Sequence, residues 1–437
     1  MKSKKLVAIA CATASVALVA SACSSSSKST GSSGSSTAAG NTTLNVWLMV
    51  DAQTGWKTAV TSAVSTFEQQ HPGDKVNVSY QTWGTYLDKF STAVKAGSAP
   101  DVMEVGNTQA GTPASEGAFL DLSSVKSKFP NSDNWNSGLV SSCTQGGKLY
   151  CVPYYAADRM VMVNGTQASA AGITAAPATW QDLLGDIQKL NTKNAGVKGY
   201  TGMEVPAGDE YLGLAFVADA GGTVADDSSG KWVGTLESSA AETGLANYCT
   251  LFKASKNNDP AGIDSNQDAA WSNGTTTFLY GLGWESANPP KGFTGTSPTP
   301  SLYFNIPSPT KAGSYLPDFT GGSDLAVPSG SKNQSLAEDW IADYTSSANE
   351  GIMATAGDIP NASNLLSDVT GAKNTQYASG QQNPYFVPEA PKWTNVDGGT
   401  PNLIDTMLQN IAKGGCTSSV IDTQAKATDA AIATALN

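Results

Sequence analysis

Cysteines, one histidine and one arginine are the residues of this chain whose chemistry is most restricted. Cys143 and Cys151 stand with seven residues between them, and Cys249 and Cys416 complete an even set. Their spacings match no zinc pattern, and the sole histidine, His71, sits in a turn-like His71-Pro72-Gly73, so neither a metal site nor a cofactor is expected. In an exported chain an even number of cysteines argues for bridges, and we pair Cys143 with Cys151 and Cys249 with Cys416. Arg159 is the only arginine, and it follows Asp158. Its rigid fork of donors can bridge two hydroxyls of a polar ligand, or it can lock Asp158 in an ion pair; the residues leave both open. Asn107 and Gln109, at the end of an expected strand, are amides that both donate and accept. Asp51 and Glu204 are placed similarly, and Tyr154 and Trp83 are further candidates for the same cleft. Hydrolysis would need a pair of carboxylates, which 37 acids do not forbid. With no histidine beyond His71 and no nucleophile elbow, however, binding without chemistry fits better and no enzyme is expected.

The N-terminus reads as an export device. A basic start (Lys2, Lys4, Lys5) precedes an apolar run from Leu6 to Ala20, too short to span a bilayer and suited to a secretory signal of residues 1–22. Ala20-Ser21-Ala22-Cys23 resembles the lipobox of bacterial lipoproteins, in which the cysteine is diacylated; it departs from that pattern at Ala20, where leucine is commonest. Ordinary cleavage after a small-residue site is the alternative. Residues 23–43, almost wholly Ser, Gly, Thr and Ala, cannot bury enough apolar surface to order themselves and read as a tether.

Loss of the leader takes the 25 basic residues to 22 against 37 acidic ones, a net charge of −15. Such a chain repels nucleic acid and anionic headgroups, so the membrane would be reached through the N-terminal lipid only. The remaining 394 or so residues exceed what one hydrophobic core serves, and two lobes are expected in a monomer.

The elements that must position these groups follow from periodicity. Leu44–Met49 reads as a strand, Trp56–Gln70 as a helix with Ala59, Val60, Ala63, Val64 and Phe67 at helical spacing, Lys75–Tyr80 as a strand, Tyr86–Ala96 as a helix and Pro100–Val105 as a strand. This β-α-β-α-β order predicts a mostly parallel sheet covered by helices, with ligands beyond the carboxyl ends of its strands. A second α/β region follows Tyr154, with helices near Trp180–Thr192 and Ala240–Ser255 and a helical tail from Leu403 to Leu436.

Several segments, in order, resemble the extracellular solute-binding proteins of ABC sugar importers, the group that includes maltose-binding protein. They are Phe67-Glu68-Gln69-Gln70-His71-Pro72, Ala99-Pro100-Asp101-Val102, Gly117 to Leu122, Gly147 to Pro153, Ala176 to Trp180, Phe278 to Trp284, and Gly321 to Pro328. The resemblance implies a class II periplasmic-binding-protein-like fold, two α/β lobes with a ligand cleft between them. Its crossings imply residues 44–153 with 325–372 as one lobe and 154–324 with 373–437 as the other. It also implies stacking roles for Trp284 and Trp393, since a neutral sugar offers an apolar face and a ring of hydroxyls; burial as ordinary core tryptophans is the alternative. The function it implies is capture of a neutral oligosaccharide, of the chitobiose or plant-derived type, at the extracellular face of the membrane for delivery to ABC permease subunits. A non-sugar solute such as glycerol phosphate is the second reading and a secreted glycoside hydrolase the third.

Overall fold

The computed structural model describes residues 41–228, 230–263, 268–282, 294–319, 321–356, 358–368, 384–385, 387–388, 390–399 and 401–437. The leader, residues 23–40 of the expected tether, Cys23 among them, and Trp284 lie outside the described residues, while Thr43 belongs to the first strand. Thr43–Met49 pairs in parallel with Lys75–Gln81 on one side and Val102–Gly106 on the other. Between them run the helices Lys57–Gln70 and Tyr86–Ala96. The first of these helices buries Ala59, Val60, Ala63 and Phe67 against the sheet, because positions three and four apart share a helical face. One element is not foreseen by periodicity: the short helix Val50–Thr54, which turns Asp51 back over the end of the first strand.

Three further strands, each paired antiparallel to its neighbour, complete the first sheet. Its order is Ile359–Pro360, Val152–Ala157, Gly321–Ala326, Val102–Gly106, Thr43–Met49, Lys75–Gln81. A second, four-stranded sheet runs Pro300–Phe304, Arg159–Asn164, Thr276–Leu282, Thr201–Glu204. Asp158 alone separates the last residue of Val152–Ala157 from the first of Arg159–Asn164, so the chain passes from one sheet to the other at this residue. The outgoing and returning strands pair with each other, Gly321 opposite Ala157 and Gly322 opposite Ala156. Gly322 has φ +147°, and a Cβ there would lie 2.2 Å from the Tyr155 carbonyl oxygen.

Each sheet has its own hydrophobic core. The first is built on Leu48, Val105, Val152, Leu325 and Trp340, and the second on Val161, Leu183, Phe216, Phe278 and Leu408. The tail forms two helices, Leu403–Lys413 and Ser418–Leu436, broken at Gly414-Gly415. No described helix is long and apolar enough to cross a membrane.

Cys143–Cys151 and Cys249–Cys416 are both bonded, the first within the first core and the second within the second. Chain entropy makes their worth unequal. The first closes a separation of 8 residues and the second one of 167, for which loop-closure entropy gives ~2.5 and ~5 kcal/mol. In urea unfolding, Cys249→Ser/Cys416→Ser is therefore expected to lose about twice the stability of Cys143→Ser/Cys151→Ser. The reverse order would contradict the entropic account.

Candidate ligand-binding cleft

At the carboxyl ends of the parallel strands the first sheet exposes a polar and aromatic lip. Trp83, 39% exposed, donates its indole N–H to the Asp51 carboxylate at 2.7 Å. Its ring stands edge-on to Tyr86, 5.6 Å between centroids. Burial pushes the Asp51 carboxyl above its ordinary range, and the Trp83 hydrogen bond opposes the shift. Tyr86 donates its hydroxyl proton to the Gln109 side-chain carbonyl and accepts the Gly106 amide at 3.2 Å. Asp51, Trp83, Tyr86 and Gln109 are thus fixed by one another as well as by the strand ends.

Beside this lip lies a cleft of about 470 Å³ that opens to solvent. Its polar wall comes from elements of the first core: Asn107 and Thr108 in the turn after Val102–Gly106, and Ser141, Ser142 and Gln145. Local sequence explains the second group. Gly146 and Gly147, at φ 56° and 77°, turn the two-residue hairpin between Thr144–Gln145 and Lys148–Leu149, which the Cys143–Cys151 bridge closes. Asp324, fully buried, accepts the Ser142 hydroxyl at 2.9 Å and holds this wall to the central strand. The opposite wall is apolar, made of Phe319, Val387, Pro388, Ala390 and Trp393. Trp393 is only 2% exposed, packed into the second core while bordering the cleft.

Phe319 belongs to a larger stack. Its ring lies parallel to Tyr211 at 4.4 Å, and the Arg159 guanidinium sits over the other ring system 4.0 Å from the Tyr211 centroid. Tyr385 donates to the Tyr211 carbonyl at 2.5 Å. Asp158 and Arg159 are both buried at the crossing, and burial raises the neighbouring Asp318 carboxyl while Arg159 and backbone N–H groups pull it down. Among cations this stack favours arginine, whose flat guanidinium fits a ring face.

Of the residues singled out in the sequence, Asn107 and Trp393 border the cleft directly. Gln109, Asp51 and Trp83 form the adjoining lip, and Asp158 and Arg159 lie behind Phe319. Two expectations are corrected. Tyr154 does not line the cleft: it is fully buried in the first core, where the Trp56 indole donates to its hydroxyl at 2.5 Å and Tyr344 shares a further hydrogen bond. Glu204 is not part of the cleft lining; it ends the strand Thr201–Glu204, and burial together with the Asp259 charge lifts its carboxyl to about 7. Trp284 lies outside the described residues. Sequence reasoning missed Thr108, Ser141, Ser142, Gln145, Phe319 and Tyr211; the pairing of Cys143 with Cys151 was the one local signal pointing to the serines and Gln145. Among the described residues the one cluster with metal-ligand spacing is Cys143, Cys151 and Asp324, and its cysteines are spent on the disulfide.

The chain matches the family described as bacterial extracellular solute-binding protein over residues 48–351. It is 31% identical over 385 residues to the diacetylchitobiose binding protein DasA of Streptomyces coelicolor, covering 85% of each chain. Among solved structures it is similar to an ABC transporter solute-binding protein of Thermotoga lettingae bound with alpha-D-tagatose, with TM-score 0.74, 20% identity, and coverage of 91% of this chain and 100% of that one. The GacH receptor of Streptomyces glaucescens, solved unliganded and with acarbose, gives TM-score 0.73, 19% identity, and coverage of 91% and 98%. At these identities the structures speak for the fold, which is the class II periplasmic-binding-protein-like arrangement of two α/β lobes about a cleft. With the matched residues spanning most of the chain, this protein belongs to the bacterial extracellular solute-binding protein family.

Proposed function

We propose that the protein is a lipoprotein receptor, tethered through Cys23 at the extracellular face of the cell membrane, that captures a neutral oligosaccharide and delivers it to the permease subunits of an ABC transporter. Its ligand is of the chitobiose or plant-derived type. The lobes are residues 44–153 with 325–372 and residues 154–324 with 373–437, and the protein acts as a monomer. The observation that carries this reading is the division of the cleft lining into amides and hydroxyls on one side and aromatic and aliphatic groups on the other, with no charged side chain among the described lining residues. Sugars need that combination, because their C–H faces stack on aromatics while their hydroxyls need partners that both donate and accept. The relative in Streptomyces coelicolor named for diacetylchitobiose points the ligand class the same way. Delivery rests on a difference in shape between liganded and unliganded forms, which two lobes joined at Asp158 can supply.

Calorimetric titration with N,N′-diacetylchitobiose, cellobiose, xylobiose, maltose and glycerol 3-phosphate tests the reading. One or more of the disaccharides is expected to bind and glycerol 3-phosphate is not; binding of the phosphate alone would overturn it. Asn107→Ala and Trp393→Phe are each expected to weaken the bound sugar by about tenfold or more, the scale of a well-packed contact residue. Cys23→Ser should move the protein from the membrane fraction to the medium.

A further inference from the structure

Trp393 leads into the helix Thr394–Asp397, which packs on the helices Leu403–Lys413 and Ser418–Leu436 of the second core and also reaches the turn Asn107–Gln109 of the first. The Thr394 hydroxyl donates to the Gln109 carbonyl at 3.4 Å. A Cβ on Gly398 would lie 3.3 Å from the Gln109 side-chain nitrogen. Val396 belongs to the second core while Val105 and Ala110, on either side of the turn, belong to the first. Asp397 therefore sits where the two lobes meet beside the cleft, 8% exposed. Four donors approach its carboxyl: the Thr108 hydroxyl from the first lobe, and the Trp393 indole, the Gly398 amide and its own amide from the second. All lie near enough to favour its charged form against the burial that pushes it upward. None of them makes a well-aligned hydrogen bond, and among the described residues both carboxyl oxygens are left without a full partner. A buried carboxyl in that condition costs free energy that a small approach of Thr108 and Trp393 would recover.

We propose that Asp397 is a positioning residue that couples the two walls of the cleft, orienting Trp393 from its own lobe and latching to the Thr108 hydroxyl across the gap when the lobes close. Asp397 is absent from the cleft lining, so it acts through Trp393 and Thr108 rather than on the ligand. The sugar-binding reading supplies the ligand for one half of this proposal; the contact between lobes stands without it.

The test uses the full mature domain as wild type, Asp397→Asn, Asp397→Ala, Thr108→Val and the Asp397→Ala/Thr108→Val double variant. Amide hydrogen exchange in the segment 105–112 is measured without ligand, and affinity for N,N′-diacetylchitobiose is measured by calorimetry. Asp397→Ala and Thr108→Val are each expected to speed exchange at 107–109 several-fold and to raise the dissociation constant about tenfold, the double variant adding little beyond either. Asp397→Asn, which keeps an acceptor for both donors, is expected to restore most of the affinity; loss of a merely structural side chain would not be rescued in this way. Exchange in 105–112 unchanged in Asp397→Ala, or effects of the two substitutions that simply multiply, would overturn the latch. Failure of the sugar reading looks different: wild type binds no disaccharide, while the exchange data still decide whether Asp397 holds the turn.

Discussion

Gly322→Ala is expected to lower the free energy of unfolding by about 3–5 kcal/mol, from overpacking added to backbone strain. The added methyl would stand 2.2 Å from the Tyr155 carbonyl oxygen and 3.0 Å from the Ala156 Cα, both backbone atoms that cannot rotate away. The φ of +147° is one that L side chains rarely adopt, so moving the chain to relieve the contact forfeits the pairing of Gly322 with Ala156. That pairing joins the outgoing and returning crossings, so the damage should reach the hinge. Urea unfolding with Gly185→Ala as the opposing control checks this. Gly185 lies inside the helix Trp180–Lys193, where a Cβ meets open space, and alanine there should stabilise by up to ~1 kcal/mol. A Gly322→Ala protein within 1 kcal/mol of wild type would show that the crossing strands tolerate separation.

Stability is expected to fall as pH rises from 5 to 8, with a melting temperature lower by on the order of 5–10 °C at the upper end. Glu104, 1% exposed on the central strand Val102–Gly106, is one cause. Burial lifts its carboxyl from an ordinary 4.5 to about 8, although the Met49 amide donates to it at 2.7 Å. Between those two values the folded protein keeps a proton that the unfolded chain has released. The contribution is therefore complete below pH 4.5 and is lost as pH climbs through 8, with an upper size of roughly 5 kcal/mol. Glu204, Asp324, Glu350 and Asp397 are raised by burial as well and act in the same direction. Asp121, drawn down to about 2 by the Ser123 hydroxyl and amide and by Lys148, acts oppositely but only at lower pH. In Glu104→Gln, a neutral group of the same shape, the slope between pH 5 and 8 should shrink markedly. An unchanged slope would mean that Glu104 is solvated more than its burial implies.

Legibility in the sequence followed the range of the forces involved. The helix Lys57–Gln70 was readable because its buried residues recur at local spacing, and the strand Val102–Gly106 because Val102, Met103 and Val105 mark a buried strand despite Glu104 among them. The position of Asn107 just past the end of that strand was legible from sequence, since it follows directly on the strand's last residue. Tyr154 went wrong for an equally physical reason. Along the strand Val152–Ala157 every residue is buried, so polarity offers no alternation to say which side chains turn to the cleft and which to the core. Phe319 and Tyr211 carry no local signature, being hydrophobic residues among many.

What the order of the letters alone carries is the acidic and nearly arginine-free composition, the α/β alternation and the family. These are properties of composition and of contacts a few residues apart, which survive in the order of the letters. Only the tertiary structure decided how Asn107 and Thr108 come to face Trp393, some 285 residues later, and how Asp397 comes to stand between them. Such meetings depend on how two separately packed cores abut, and no periodicity along the chain encodes that geometry. The same holds for Glu104 and Asp324, ordinary acids in the sequence, whose raised carboxyls arise from the atoms that the folded sheet closes over them.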